Sequence, residues 1–228
     1  MSSDGVPAAR PWSVEVIRDL LTQDRLGSYL SSCNQDLMRA LELYEWNLAA
    51  SAAVMQTSAM VEVIVRNALD AQLADWSSLR GPELWTDTVP LDQRGQGDIA
   101  KAVDRATDFG RMARNHGKVV AELNFGFWRY LTASRYHASL WVPALHRAFP
   151  GGDRDLRVRR RDVERDLSDL MLVRNRAAHH EPIHRRNLMS DLDAAVELAT
   201  WIHSDAGMWV RVTSAIPAAV ATRPTSAA

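Results

Sequence analysis

The chain has 228 residues, with 27 Lys and Arg against 28 Asp and Glu and a net charge of −1. That balance excludes the overall basic field of a nonspecific nucleic-acid binder, so any polynucleotide contact has to be local. The single cysteine, Cys33, excludes an intrachain disulfide and fits a reducing compartment, and the length allows one large domain or two small ones.

The N-terminus lacks the apolar core of a signal peptide. No stretch approaches a membrane span, since 210–220 is too short and carries Arg211. The expectation is a soluble, cytoplasmic protein without a membrane partner.

In chain order, residues 1–12 are small, polar and interrupted by proline, which predicts a flexible tail. Ser13 can cap a short helix running to Leu21. Between 34 and 76 there is neither Gly nor Pro, and Leu37, Leu41, Tyr44, Leu48, Met55, Ala59 and Val63 recur at helical spacing. Unbroken, this segment is a helix of about 60 Å. Either a bend near Asn47 or a projecting helix reconciles that length with a compact domain.

Residues 77–97 hold Gly81-Pro82, Pro90, Gly95 and Gly97 and read as a long loop. Within it, Trp85 can either tack the loop onto the core or offer a ring for stacking on a base. Helix returns over 98–114, followed by shorter pieces over 117–124, 125–134 and 136–149, with a break at Pro150-Gly151-Gly152. A helix is predicted from about Leu156 to His180 and a last long one through Leu188, Leu192, Ala195, Ala199 and Ile202 to Gly207. Residues 208–228 read as a low-complexity tail, which leaves 13–207 as one all-α domain. No internal repeat and no useful alternating strand pattern occurs.

The densest chemistry is Arg174-Asn175-Arg176-Ala177-Ala178-His179. Val163, Leu167, Leu170 and Met171 lead into it as an apolar stripe, and Arg174 falls where another Leu is expected. A guanidinium there needs a carboxylate, such as Asp166 or Asp169, or a ligand. Asn175 and His179, four residues apart, lie about 40° from each other around the axis, and Arg174 flanks Asn175 at about 100°. Pro182 disfavours helix just before it, so the helix should stop near His180 or Glu181. His179 then sits in the last turn, beside unpaired carbonyls that favour imidazolium. An imidazole near neutral pH can move a proton, and an arginine fork can hold a phosphate.

Arg174-Asn175-x-x-x-His179 matches the RNxxxH signature of the HEPN superfamily of all-helical ribonucleases, and the surrounding chain resembles its abortive-infection (Abi-like) branch. Ala40-Leu41-Glu42-Leu43-Tyr44-Glu45-Trp46-Asn47 and Val61-Glu62-Val63-Ile64-Val65-Arg66-Asn67-Ala68-Leu69-Asp70 are similar to that family's N-terminal helical region. Asn124-Phe125-Gly126-Phe127-Trp128, Leu140-Trp141 and Phe149-Pro150 resemble its middle segment, and Leu172-Val173-Arg174 through Glu181-Pro182-Ile183 closes the match.

The resemblance implies a HEPN-like helical bundle with additional helices. It also implies metal-independent endoribonuclease activity by transesterification, with no cofactor. His179 would be the acid or base, Arg174 the phosphate clamp and Asn175 a positioning residue. Supporting or RNA-binding roles fall to Arg66, Asn67, Arg160 and Glu181. It further implies RNA as partner, a homodimer with a composite site, and work in bacterial antiphage defence or as a toxin held by an antitoxin or other restraint. A related toxin subgroup carries tyrosine where this chain has Glu181, so regulation through that tyrosine does not transfer. The alternative is a catalytically silent HEPN module that binds RNA or a protein.

Three other patterns compete. His180-Glu181-Pro182-Ile183-His184 satisfies HExxH, but that zinc site needs both histidines on one continuous helix, which Pro182 defeats. Glu62, Arg66 and Asp70, spaced by four, make either an ion-pair ladder or, with Asn67, a contribution to the RNA groove. Arg157, Arg159, Arg160 and Arg161 are interleaved with acids and read as a solvated face, with Arg160, about 40° from Arg174 around a continuous helix, the best outlying phosphate contact. Only Lys101 and Lys118 are lysines, a bias that a high-GC bacterial genome explains as readily as phosphate binding.

Overall fold

The computed structural model describes residues 10–224, all of whose regular elements are helical. The expected tail over 1–12 lies outside the described residues up to position 9; next to it, Arg10 pairs with Glu45 at 2.5 Å and stands 4.6 Å over the Trp12 ring. Helix α1 spans Val14–Leu21 and is capped as expected, Ser13 Oγ accepting from the Val16 amide at 3.3 Å. Helix α2, Gln23–Ser32, buries Leu26 and Tyr29.

Helix α3, Leu37–Ser78, is the long axis of the domain, 42 residues or about 63 Å. It runs unbroken through Asn47, whose side chain is buried and accepts from the Ile183 amide at 2.8 Å instead of interrupting the helix. Neighbours cover both ends: Tyr44 meets Tyr29 of α2, and Ser77 bonds Thr88 beyond the far end. The buried face differs from the expected stripe, because Leu48, Ala59 and Val63 are exposed. Between 40 and 58 the buried face is wide, leaving a strip through Glu42, Glu45, Ala49, Ala52 and Gln56 exposed while Ala50, Ser51 and Ala53 admit close neighbours, and it then narrows to Val61, Val65, Leu69 and Leu73. A repeat of seven drifts around a straight helix, so the sequence stripe leaves the core after about two turns.

An 18-residue window of α3 is long and apolar enough to cross a membrane by length and composition, contrary to the sequence expectation, yet half of it is buried inside the protein. A core helix of a soluble protein has this pattern.

The expected loop over 77–97 contains a short helix α4, Trp85–Thr88. Trp85 is 1 % exposed, donates to Asp70 Oδ1 at 2.7 Å and stacks on Phe127. It tacks the loop down and is not a free stacking ring. Asp92 caps helix α5, Gln93–Ala106, and also accepts from Tyr130 and Arg135. The Tyr130 hydrogen bond is the largest influence holding its carboxyl down at about 2. Helices α6, His116–Glu122, and α7, Phe125–Leu131, follow, then a string of 3₁₀ and π turns over 134–148 that buries Tyr136, Leu140, Trp141 and Leu145.

Helix α8, Leu156–Ala178, begins at Asp155, whose Oδ1 accepts from the Arg157 and Val158 amides. Helix α9 spans Leu188–Ile202 and breaks at His203, four residues before the expected end. The stretch expected as tail carries helix α10, Ser204–Thr213, and helix α11, Ile216–Ala221. Both are held by partners far away in sequence: Trp46 donates to the Ala219 carbonyl at 2.7 Å, and Thr57 bonds Ser214 at 2.8 Å. Val210 and Ile216 are buried.

Gly207 lets α10 lie directly on α9, since a Cβ there would come within 1.9 Å of Thr200 Oγ1 and 2.9 Å of Thr200 Cβ. Thr200 Oγ1 is committed to the Val196 carbonyl at 2.7 Å, so it cannot simply turn away. Gly207→Ala should therefore cost about 1–3 kcal/mol by overpacking, read as a lower urea midpoint; an unchanged midpoint would mean the two helices separate freely.

Candidate functional site

The site is set by where α8 stops. His179 is its C-cap, and His180 takes the left-handed conformation at φ 57°. The His180 amide donates to the Ala177 carbonyl at 3.1 Å and the Glu181 amide to Arg176 at 2.8 Å, the paired bonds of a Schellman turn. The carbonyls expected to be unpaired beside His179 are thus partly satisfied, and the helix ends at Ala178, short of the His180 or Glu181 that Pro182 alone implies.

Several groups fasten the turn. Arg25 of α2 donates to the His180 carbonyl at 2.7 Å, and Arg176 donates to the Pro182 carbonyl at 2.8 Å. Glu181 is exposed and faces Arg176 Nε at 3.6 Å, so its visible partner belongs to the turn. His184 is 1 % exposed, stacks against Tyr29 at 4.8 Å and shares a 3.1 Å hydrogen bond with Ser32. The two histidines of HExxH therefore do not share a helix face. Among the described residues no group of three His, Cys, Asp or Glu is arranged to hold a metal ion.

Burial, and then the charges of Arg185, Arg223 and Arg176, push His184 down to about 4 from 6.5. The folded state thus binds fewer protons than the unfolded chain between those values. Its contribution to stability is complete above pH 6.5 and is lost as pH falls toward 4. His184→Phe should flatten the decline in unfolding free energy between pH 6.5 and 4 that the wild type shows; equal slopes in denaturant titrations would contradict this.

Arg174, expected on the core stripe, is half-buried, and Val173 takes the core position with Val163, Leu167, Leu170 and Ala177. Neither suggested acid pairs with it: Asp166 accepts from Arg165 at 2.9 Å, and Asp169 contributes its charge to Arg186. Arg174 Nη1 instead donates to Asn175 Oδ1 at 3.2 Å. Ideal helix geometry puts Arg174 and His179 about 140° apart, so this bond draws the guanidinium around toward the Asn175 side. His179 is exposed, and Asn175 is half-buried between them.

Helix α3 supplies the other wall. Glu62 is half-buried; burial pushes its carboxyl up from 4.5, opposed first by the charge of Arg174 and then by that of Arg66. Arg66 and Arg174 thus both act on Glu62 through their charge, with no ion pair among the described residues joining either to it, and Arg66 Nε is buried without a partner among the described residues. The expected ladder does not form, because Asp70 is taken by Trp85 and by His116 at 2.9 Å. Asn67 is exposed beside Arg66, with no contact tying it to the motif.

Arg160 does not join the site. Its side chain is 12 % exposed and is held by the Thr132 carbonyl and Glu164, and 14 residues of helix put it about 21 Å from Arg174 along the axis. Arg159 likewise turns inward, onto the carbonyls of Asp153 and His146. Comparison of the chain with family models, curated proteins and solved structures finds no match.

In sequence Glu62 belonged either to a ladder or to a groove contribution with Arg66 and Asn67; that the charge of Arg174 reaches it depends on the register of α3 against α8, which no local pattern carries. A carboxyl whose folded pKa is raised costs stability once it ionises. Glu62→Gln should match the wild type in stability below pH 4.5 and become the more stable of the two as pH rises. Paired denaturation curves test this, and a variant that is less stable at pH 7 would show that Glu62 is held mainly by attraction to the arginines.

Proposed function

We propose that the chain is a metal-independent endoribonuclease of the Abi-like HEPN type, with Arg174, Asn175 and His179 as its active residues. The observation that carries this reading is a contrast in environment. An imidazole stands on the surface at the end of α8, while the neighbouring guanidinium is half-buried, without a carboxylate at ion-pair distance among the described residues, and steered by Asn175. A charge oriented by neutral groups keeps its capacity for an anion.

In the reaction, the 2′-hydroxyl gives up its proton and its oxygen attacks the adjacent phosphorus. The bond from phosphorus to the 5′-oxygen breaks, and that oxygen takes a proton. The products are a 2′,3′-cyclic phosphate and a 5′-hydroxyl. Arg174 balances the charge gathering on the phosphoryl oxygens, and His179 carries one of the two proton transfers. Glu62 of α3 feels the charges of Arg174 and Arg66, but its burial opposes its own ionisation.

One motif imidazole per chain leaves the second proton transfer to a symmetry-related His179, so the working unit is a homodimer with a composite site. Leu172, 50 % exposed and one and two turns before Asn175 and His179, gives that face an apolar contact. RNA is the substrate, the setting is cytoplasmic antiphage defence or a restrained toxin, and an antitoxin or similar partner holds the activity in check.

His179→Ala should lower kcat on RNA by about 10²–10⁴ while leaving RNA affinity within a few-fold of wild type. Arg174→Ala should weaken binding and turnover together, because the charge meets phosphate in both the ground and transition states. If His179→Ala leaves turnover intact, the ribonuclease reading is wrong and the chain is an RNA-binding or protein-binding module.

A further inference from the structure

A second basic feature lies away from the α8 motif. Trp46 of α3, Arg185, Arg186 and Met189 at the start of α9, and Val220 and Arg223 at the end of α11 surround a cavity of about 270 Å³. Arg174, Asn175 and His179 are not among the residues that line it.

Its charges are unequal in their commitments. Arg186 is neutralised by a two-point pair with Asp191, at 3.0 and 2.6 Å. Arg185 is held by neutral groups, Nη2 donating to Ser32 Oγ at 3.2 Å and to the Ser28 carbonyl at 3.5 Å. Arg223 lies 5.2 Å from the centre of the Trp46 ring. Among the described residues neither Arg185 nor Arg223 has a carboxylate at ion-pair distance. Two full positive charges are thus oriented without being cancelled.

The backbone adds to them. Asn187 Oδ1 accepts from the Ser190 amide at 3.2 Å, which leaves the first-turn amides of Leu188 and Met189 at the positive end of a 15-residue helix. Field from the same arginines reaches the buried ring of His184, where Arg185 and Arg223 follow burial as the causes that keep it neutral. Trp46 and Val220 add apolar surface to the lining, and Trp46 is fixed by its bond to the Ala219 carbonyl.

We propose that this cavity binds a phosphate monoester, its dianion held between Arg185 and Arg223 at the start of α9 and its carbon body against Trp46 and Val220. Two uncancelled guanidinium groups match the double charge of a monoester rather than the single charge of a diester. Planar forks suit tetrahedral oxyanions. Such a group arrives either on a free mononucleotide or on the phosphorylated end of an RNA.

Calorimetric titration of the full chain with adenosine 5′-monophosphate, and with adenosine, tests the assignment. The monophosphate should bind and the nucleoside should not. Arg185→Gln and Arg223→Gln should each weaken binding by about tenfold, and Arg174→Ala should leave it unchanged. Both substituted arginines are exposed, so thermal melts of the variants should overlay the wild type. A further arm compares oligoribonucleotides with and without a 5′-phosphate, using His179→Ala protein. Tighter binding of the phosphorylated than of the unphosphorylated oligomer, with the difference lost in Arg185→Gln, assigns the site to RNA ends, and equal binding of the two oligomers assigns it to free nucleotides. The proposal is overturned if the monophosphate fails to bind at millimolar concentration, or if its binding survives both substitutions.

Discussion

Everything at the candidate site depends on how α8 ends. A helix leaves its last carbonyls unsatisfied, and here the amides of His180 and Glu181 fold back to take two of them. The cost is a histidine at positive φ, which is tolerable because the segment after it is held from four directions. Arg25 grips the His180 carbonyl, Arg176 the Pro182 carbonyl, Asn47 the Ile183 amide, and Tyr29 with Ser32 encloses His184. Because that segment is pinned to α2 and α3, the last turn of α8 has a defined position. His179 is therefore presented outward, and Arg174 is kept at the junction with α3.

Electrostatics then divide the arginines into two kinds. Arg159, Arg160, Arg165 and Arg186 are used up by nearby carbonyls or carboxylates and behave as clamps. Arg174, Arg185 and Arg223 are steered by an amide, a hydroxyl or a ring and retain their charge. In a chain of net charge −1, this division matters more than the count of basic residues, since only the second kind can meet an anion without first losing a partner. Glu62 is the intermediate case: near enough to two arginines to feel both, yet buried enough that its own ionisation is opposed.

The sequence was legible where the signal is local. The absence of Gly and Pro marked α3 to within a few residues, Ser13 and Leu156 marked helix starts, and Pro182 marked the end of α8 nearly correctly. It was misleading where burial is decided by distant neighbours. The stripe through Leu48 and Val63 drifts to the surface because the core face of α3 follows its partners and not the repeat. The alanine-rich C-terminal stretch looked featureless because its anchors, Trp46 and Thr57, lie 173 and 157 residues upstream of their partners. At the site, Arg174 and Asn175 do meet, whereas Arg160 looked like a neighbour only because angle around a helix says nothing of distance along it. That the charge of Arg174 reaches Glu62 needed the packing of two helices to become visible.

The most direct test of the central claim is the chemistry of the ends left on RNA by purified protein in excess EDTA. The account predicts 2′,3′-cyclic phosphates and 5′-hydroxyls, formed by the wild type and absent with His179→Ala. Ends bearing a 5′-phosphate, or cleavage that stops when divalent metal is removed, would contradict it.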